Sequence, residues 1–202
     1  MSIDAKLVKA LRDRTGAGMM DCKKALVKSN GDMDSAIDFL RKSGIAKAEK
    51  KGSRETKEGI IYSYIHSGGR LGVLIELNCE TDFVAKTDEF TELAHNFAMQ
   101  VAATNPVSLD RDDVSPELID REKNIYLDQA KKEGKPDAII QKMVDGRINK
   151  FFQESCLMEQ TYIKDPDKKV ADLLNETISS LGENISINQY TRFAIGESLS
   201  SK

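Results

Sequence analysis

The 202 residues, 40% hydrophobic and 31% charged, suffice for one domain of ordinary size or for a small module joined to a larger one, with enough apolar side chains to form a core. Lys and Arg total 30 against 33 Asp and Glu, a net charge of −3 that disfavours a general nucleic-acid coat protein; the balance is uneven, +6 over residues 1–57 and −9 over the remainder, which points to two parts with different surfaces. No apolar run approaches the roughly 20 residues of a membrane helix, the amino terminus lacks an apolar signal core, and Cys22, Cys79 and Cys156 are too scattered for a disulfide framework or a zinc site, so no membrane role and a reduced, cytoplasmic setting are expected.

In chain order, Leu7, Val8 and Leu11 repeat at helical spacing up to the turn Thr15-Gly16-Ala17-Gly18. A second helix is expected from Met19 to about Ser29, with Cys22, Ala25 and Leu26 on one face, and Asn30-Gly31 ends it. Asp32 is placed to cap a third helix that carries Ala36, Ile37 and Leu40 and is stopped by Ser43-Gly44. These three helices make a small bundle. Lys47 to Lys57, rich in Lys, Arg, Glu and Ser, reads as helix end plus linker or as a basic contact surface.

The period then changes. Ile60 to Ile65 and Leu71 to Leu77 are β-rich runs joined by the hairpin punctuation His66-Ser67-Gly68-Gly69-Arg70. Asp88 is expected to cap a helix through Phe90, Leu93, Phe97 and Val101, stopped by Asn105-Pro106. Ser115-Pro116 opens another to about Glu133. Beyond Gly134 and Pro136 a longer helix aligns Ile139/Ile140, Met143/Val144, Ile148 and Phe151/Phe152 in one broad stripe. After Lys164-Asp165-Pro166-Asp167, a further helix is marked by Val170, Leu173, Leu174 and Ile178, and Ile185 to Ile195 alternates as a strand that would pair with the hairpin. The expected fold is α+β: an N-terminal three-helix bundle, then a small antiparallel sheet covered by helices on one face, with the domains divided as 1–56 and 57–202.

The glycine-rich segments carry no nucleotide fingerprint. In Thr15 to Lys24 no glycine directly precedes the lysine and no strand precedes the loop, and Gly68 to Gly72 leads into a strand rather than a helix. No nucleophile–base pair announces itself, and His66 and His95 read as surface or turn residues, so covalent catalysis has nothing specific behind it. Two features stay open on pattern alone. The adjacent Met19 and Met20 cannot both face one core, so one is expected beside the glycine turn, as core filler or as partner surface. Thr81-Asp82-Phe83-Val84 lies where a strand gives way to a helix, and Phe83 reads either as a core anchor or as an exposed wedge with Asp82 addressing polar groups beside it.

Longer stretches carry a resemblance. Leu7-Val8-Lys9 and the run from Arg12 to Leu26, RDRTGAGMMDCKKAL, closely resemble the amino-terminal signature of the bacterial translation elongation factor Ts family. Asn78 to Lys86, NCETDFVAK, resembles its second signature, and Lys142 to Arg147 and Leu157 to Asp165 are similar to its carboxy-terminal half. The resemblance implies a ubiquitin-associated-like three-helix module followed by an α+β core or dimerisation domain. It also implies a guanine-nucleotide exchange factor for the GTPase elongation factor Tu that needs no cofactor and performs no covalent chemistry. Lys9, Arg12, Met19 and Met20 match positions expected to touch the GTPase, and Thr81, Asp82, Phe83 and Val84 match the segment that dislodges its magnesium ion. Longer family members carry a second core subdomain and an inserted coiled-coil hairpin, for neither of which this chain has room, and a homodimer is therefore expected. The Ile139 to Phe152 stripe serves either that interface or the protomer's own core. Two rival readings are a nucleic-acid module using the basic amino-terminal region and a peptide adaptor built on the three helices.

Overall fold

The computed structural model describes residues 3–134 and 136–197; the outer bounds of the two expected domains, residues 1 and 202, lie outside the described residues. Three helices come first: α1 (Ala5–Thr15), α2 (Met19–Lys28) and α3 (Met33–Lys51). Asp4 Oδ1 caps α1 by accepting from the Lys6 N–H at 3.0 Å, and Gly16 ends it at φ 68°, its N–H donating to the Arg12 carbonyl at 2.8 Å. Asp32 caps α3 as expected, accepting from the Ser35 N–H at 2.8 Å. Val8, Leu11, Cys22, Ala25, Leu26 and Ala36 close into one buried core among the three helices.

The third helix does not stop at Ser43-Gly44. It continues to Lys51, because tertiary packing outweighs the low helix propensity of that pair. Gly44 is buried, and a Cβ there would lie 3.8 Å from the Ser179 Cβ of a later helix, α8 (Val170–Leu181). Arg41 pairs with Asp172 on the same helix, and Lys51 Nζ donates to the Ile178 carbonyl at 3.3 Å.

A three-stranded antiparallel sheet is built from β1 (Glu58–Ile65), β2 (Leu71–Cys79) and a C-terminal strand, Ile185–Ala194, with β2 in the centre. Burial alternates along β2: Val73, Ile75, Leu77 and Cys79 are buried while Leu74 is exposed, the period-2 signature of a sheet with one covered face. Gly59 lies so close to β2 that a Cβ would sit 2.3 Å from the Leu77 carbonyl oxygen. Beyond β2 come a single turn, α4 (Asp82–Ala85), and the long α5 (Asp88–Thr104). Asp88 is the first helical residue rather than the cap. Thr87 caps instead, its hydroxyl accepting from the Phe90 N–H at 3.2 Å, which leaves the Asp88 carboxylate in the first turn where the helix dipole favours it.

Helices α6 (Pro116–Lys132) and α7 (Asp137–Ser155) follow, then a two-stranded antiparallel ribbon of β3 (Thr161–Tyr162) and β4 (Asp165–Lys169), α8, and the C-terminal strand, β5. Ser115 caps α6 as expected, accepting from the Leu118 N–H at 3.3 Å. The ribbon departs from the sequence pattern, in which Lys164 to Asp167 reads locally as a break. Helices α6 and α7 pack on one another, burying Ala130 against Ile140, Val144 and Ile148, with Tyr126, Leu127 and Phe152 partly covered. The apolar stripe of α7 is thus largely satisfied within the chain, and Ile139 is left exposed.

The chain divides into two compact units, each discontinuous in sequence. The first takes the chain up to Tyr62, Ile75–His95 and Asp172–Tyr190; the second takes Ser63–Leu74, Asn96–Ala171 and the chain from Thr191.

Candidate functional site

Two groups of exposed side chains in the first unit coincide with the residues singled out from the sequence. At the α1–α2 junction the chain turns through Gly16-Ala17-Gly18. The Thr15 hydroxyl donates to the Leu11 carbonyl at 2.8 Å, and the buried Cys22 thiol donates to the Ala17 carbonyl at 3.4 Å, tying the turn to both helices. Burial pushes the Cys22 thiol pKa up, so it stays a neutral packing group. With Cys22, Ala25 and Leu26 turned inward, the helical period leaves Met19 45% and Met20 76% exposed. Neither methionine is core filler. Lys9 and Arg12, one turn apart on α1, are also exposed.

The second group is the Thr81 segment. Thr81 is the N-cap of α4, and its Oγ1 accepts from the Val84 N–H at 3.5 Å. Val84 and Ala85 are buried beneath the turn, whereas Phe83 is 80% exposed, an unusual place for a benzyl side chain. Asp82 Oδ2 accepts from Lys86 Nζ at 2.5 Å, and the ammonium holds the Asp82 carboxyl below the usual carboxylate range. Among the described residues no hydrogen bond or ion pair links Lys9, Arg12, Met19 or Met20 to Thr81–Val84.

The turn is anchored by residues a hundred positions away. Glu183, just past α8, accepts at Oε2 from the Glu80 N–H (3.1 Å) and the Thr81 N–H (3.0 Å), and at Oε1 from the Thr81 hydroxyl (2.6 Å). Glu80 Oε1 in turn accepts from the Asn184 N–H at 2.6 Å and pairs with Arg54 Nη1 at 3.3 Å; these two donors hold its carboxyl below the ordinary range, the Asn184 amide contributing most. Asn184 Nδ2 donates to the Arg54 carbonyl at 2.8 Å. Cys79, fully buried, donates its thiol to the Thr81 carbonyl at 3.1 Å, and burial pushes its pKa up to about 11.

In the second unit, the face of the sheet opposite the buried β2 residues carries a shallow apolar groove. Ile65, Leu74, Phe193 and Ile195 line it, each between 45% and 67% exposed, with Arg70 at its edge. Among the described residues no three His, Cys, Asp or Glu side chains gather as metal ligands, and no helix is long and apolar enough to cross a membrane.

A family model described as Elongation factor TS matches residues 44–197. The chain is 58% identical over 197 residues to Elongation factor Ts of Syntrophomonas wolfei, covering 98% of this chain and 92% of that protein. The chain belongs to the elongation factor Ts family. Elongation factor Ts of Desulfosudis oleivorans is 56% identical over 196 residues (97% of this chain, 99% of that protein), and that of Thermosipho melanesiensis is 56% identical over 195 (96% and 100%). The elongation factor Ts match thus spans nearly the whole chain. Its family model takes in Thr81–Val84 and Glu183, while Lys9, Arg12, Met19 and Met20 precede it. Sequence reasoning missed Glu183, Asn184 and Arg54. Gly182-Glu183 reads locally as a helix end, and a polar contact over 102 residues leaves no periodic signal by which to find it.

Proposed function

We propose that the chain is a guanine-nucleotide exchange factor for the translational GTPase elongation factor Tu, working in the cytoplasm by binding alone. The observation that carries this reading is Phe83, four-fifths exposed on a turn that is already formed in the free protein. Family membership supports the same reading. GDP is held on such a GTPase by loop amides, a lysine and Mg²⁺, whose charge offsets that of the β-phosphate. The exchange factor stabilises a conformation in which those groups are displaced. Phe83 enters the partner near the magnesium site, Asp82 addresses polar groups beside it, Thr81 shapes the turn, and Val84 anchors it from below. Lys9, Arg12, Met19 and Met20 supply a second contact, with flexible thioethers and stem-mounted charges suited to a partner's surface.

The magnitude is adequate. A phenylalanine side chain buries on the order of 200 Å² when enclosed. Covering the exposed four-fifths at ~25 cal/mol per Å² gives about 4 kcal/mol before ordering costs. At 1.4 kcal/mol per factor of ten, that differential would weaken GDP binding by up to about a thousandfold, and GDP would weaken binding of the factor by the same ratio. A homodimer completes the proposal: the groove lined by Ile65, Leu74, Phe193 and Ile195 suits a second copy of the chain.

The test is release of fluorescent GDP from elongation factor Tu by the wild type and by Phe83→Ala. Slower release by a variant with an unchanged melting curve is the expected result. Equal release by both removes Phe83 from the mechanism, and unfolding of the variant restores its reading as a core anchor.

A further inference from the structure

We propose that Glu183 is the positioning residue for Phe83. The proposal rests on the reading of Phe83 as the wedge. Phe83 is too exposed for its own packing to fix its direction, so that direction is set by the backbone of α4. A helix of four residues has no stability of its own, because nucleation costs more than one turn returns. Its geometry is imposed from outside.

The Glu183 carboxylate imposes it at the first residues of the turn. One oxygen gathers two successive amides, those of Glu80 and Thr81, and the other takes the Thr81 hydroxyl hydrogen. The same hydroxyl oxygen accepts from the Val84 N–H, so carboxylate, hydroxyl and amide form a continuous relay from Glu183 into the turn that carries Phe83. Bonds to an ionised carboxylate are the stronger kind, and three converge here. A second strut runs the other way, from the Asn184 N–H to the Glu80 carboxylate, so adjacent residues of one segment grip adjacent residues of the other. Gly182, at φ 80° just past α8, reverses the chain to present both Glu183 and Asn184. Such support lets the wedge meet its partner without first being ordered.

The test has two arms. The chain contains no tryptophan, so Phe83→Trp places a single reporter at the wedge. In Phe83→Trp the anisotropy decay of the free protein should keep a slow component at the tumbling time of the whole molecule beneath the fast rotation of the exposed ring about its side-chain bonds. Adding Glu183→Ala should shrink that slow component without abolishing the cooperative melt; an unchanged slow component overturns the positioning role whatever the function. In the second arm, maximal GDP-release rates are compared for wild type, Glu183→Ala, Phe83→Ala and the double variant. Glu183→Ala should slow release by roughly ten- to a hundredfold, the scale of a misplaced reacting group. The double variant should be no slower than Phe83→Ala alone, and Glu183→Gln, which keeps one acceptor oxygen for the amides, should recover part of the loss. Additive slowing, or no slowing by Glu183→Ala while Phe83→Ala is slow, overturns the proposal. A normal rate in Phe83→Ala overturns the wedge reading instead, and the proposal falls with it. If Glu183→Ala does not fold, Thr81→Val breaks the same relay at its hydroxyl and is held to the same two outcomes.

Discussion

Gly59→Ala tests the close approach of β1 to the end of β2, the strand that leads into the Thr81 turn. The new Cβ would lie 2.3 Å from the Leu77 carbonyl oxygen, 2.7 Å from Asn78 Oδ1 and 2.8 Å from Asn78 Cα, two of these being backbone atoms that cannot swing aside. Relief requires the strands to separate by about 1 Å, which weakens one or two ladder hydrogen bonds at roughly 1 kcal/mol each. Gly59 also sits at φ 155°, and forcing an L side chain into such sparsely populated backbone costs on the order of 1–3 kcal/mol more. The sum is about 2–5 kcal/mol, among the larger values seen for single substitutions. Urea unfolding followed by far-UV circular dichroism reads it as a lower midpoint at unchanged slope. Gly68→Ala is the control: its φ is 90°, but nothing lies within 4 Å of the added methyl, so only the backbone term applies. Equal losses in the two variants would refute the close approach.

Three further outcomes are expected. Met20→Asp should leave the melting curve unchanged, because the side chain is largely exposed, yet weaken binding to elongation factor Tu by roughly tenfold or more in a titration, since a charge would replace an apolar contact. Phe193→Asp should shift sedimentation from dimer to monomer without unfolding the chain; a monomeric wild type would remove the groove as an interface. The Glu80 carboxyl pKa is depressed in the folded protein, so its contribution to stability is present above the unfolded carboxylate pKa, about 4.3, and is lost as pH falls through the folded value. Glu80→Gln should therefore be less stable than wild type at pH 7, with the gap closing toward pH 3 in denaturant titrations.

Local chemistry wrote much of this fold into the sequence. Asp32 and Ser115 cap helices because a short acceptor side chain precedes an apolar period, and both caps are where the pattern put them. The β-rich run Leu71 to Leu77 is likewise a strand, although which of its faces is buried emerges only in the structure. What was hidden depends on partners distant in sequence. Ser43-Gly44 reads as a stop until α8 is seen to pack against it, with Ser179 beside the buried Gly44. Thr87 and Asp88 are both competent caps, and a single bond, the Phe90 amide to the Thr87 hydroxyl, decides between them. The stripe on α7 announced burial but not against what; α6 takes it up. At the site, pattern left Phe83 open between core and surface, and the burial of Val84 and Ala85 beside it leaves the ring outside.

A chain that exchanges nucleotide, rather than merely binding a GTPase, acts on many GTPase molecules in turn. The direct measurement uses elongation factor Tu loaded with fluorescent GDP, excess unlabelled nucleotide, and this protein at about a hundredth of the GTPase concentration. All bound GDP should leave at an accelerated rate, each molecule of the protein being released for a further round, because the differential contact lowers GDP affinity only while the complex lasts. Release at the spontaneous rate by a folded, GTPase-binding protein would contradict it.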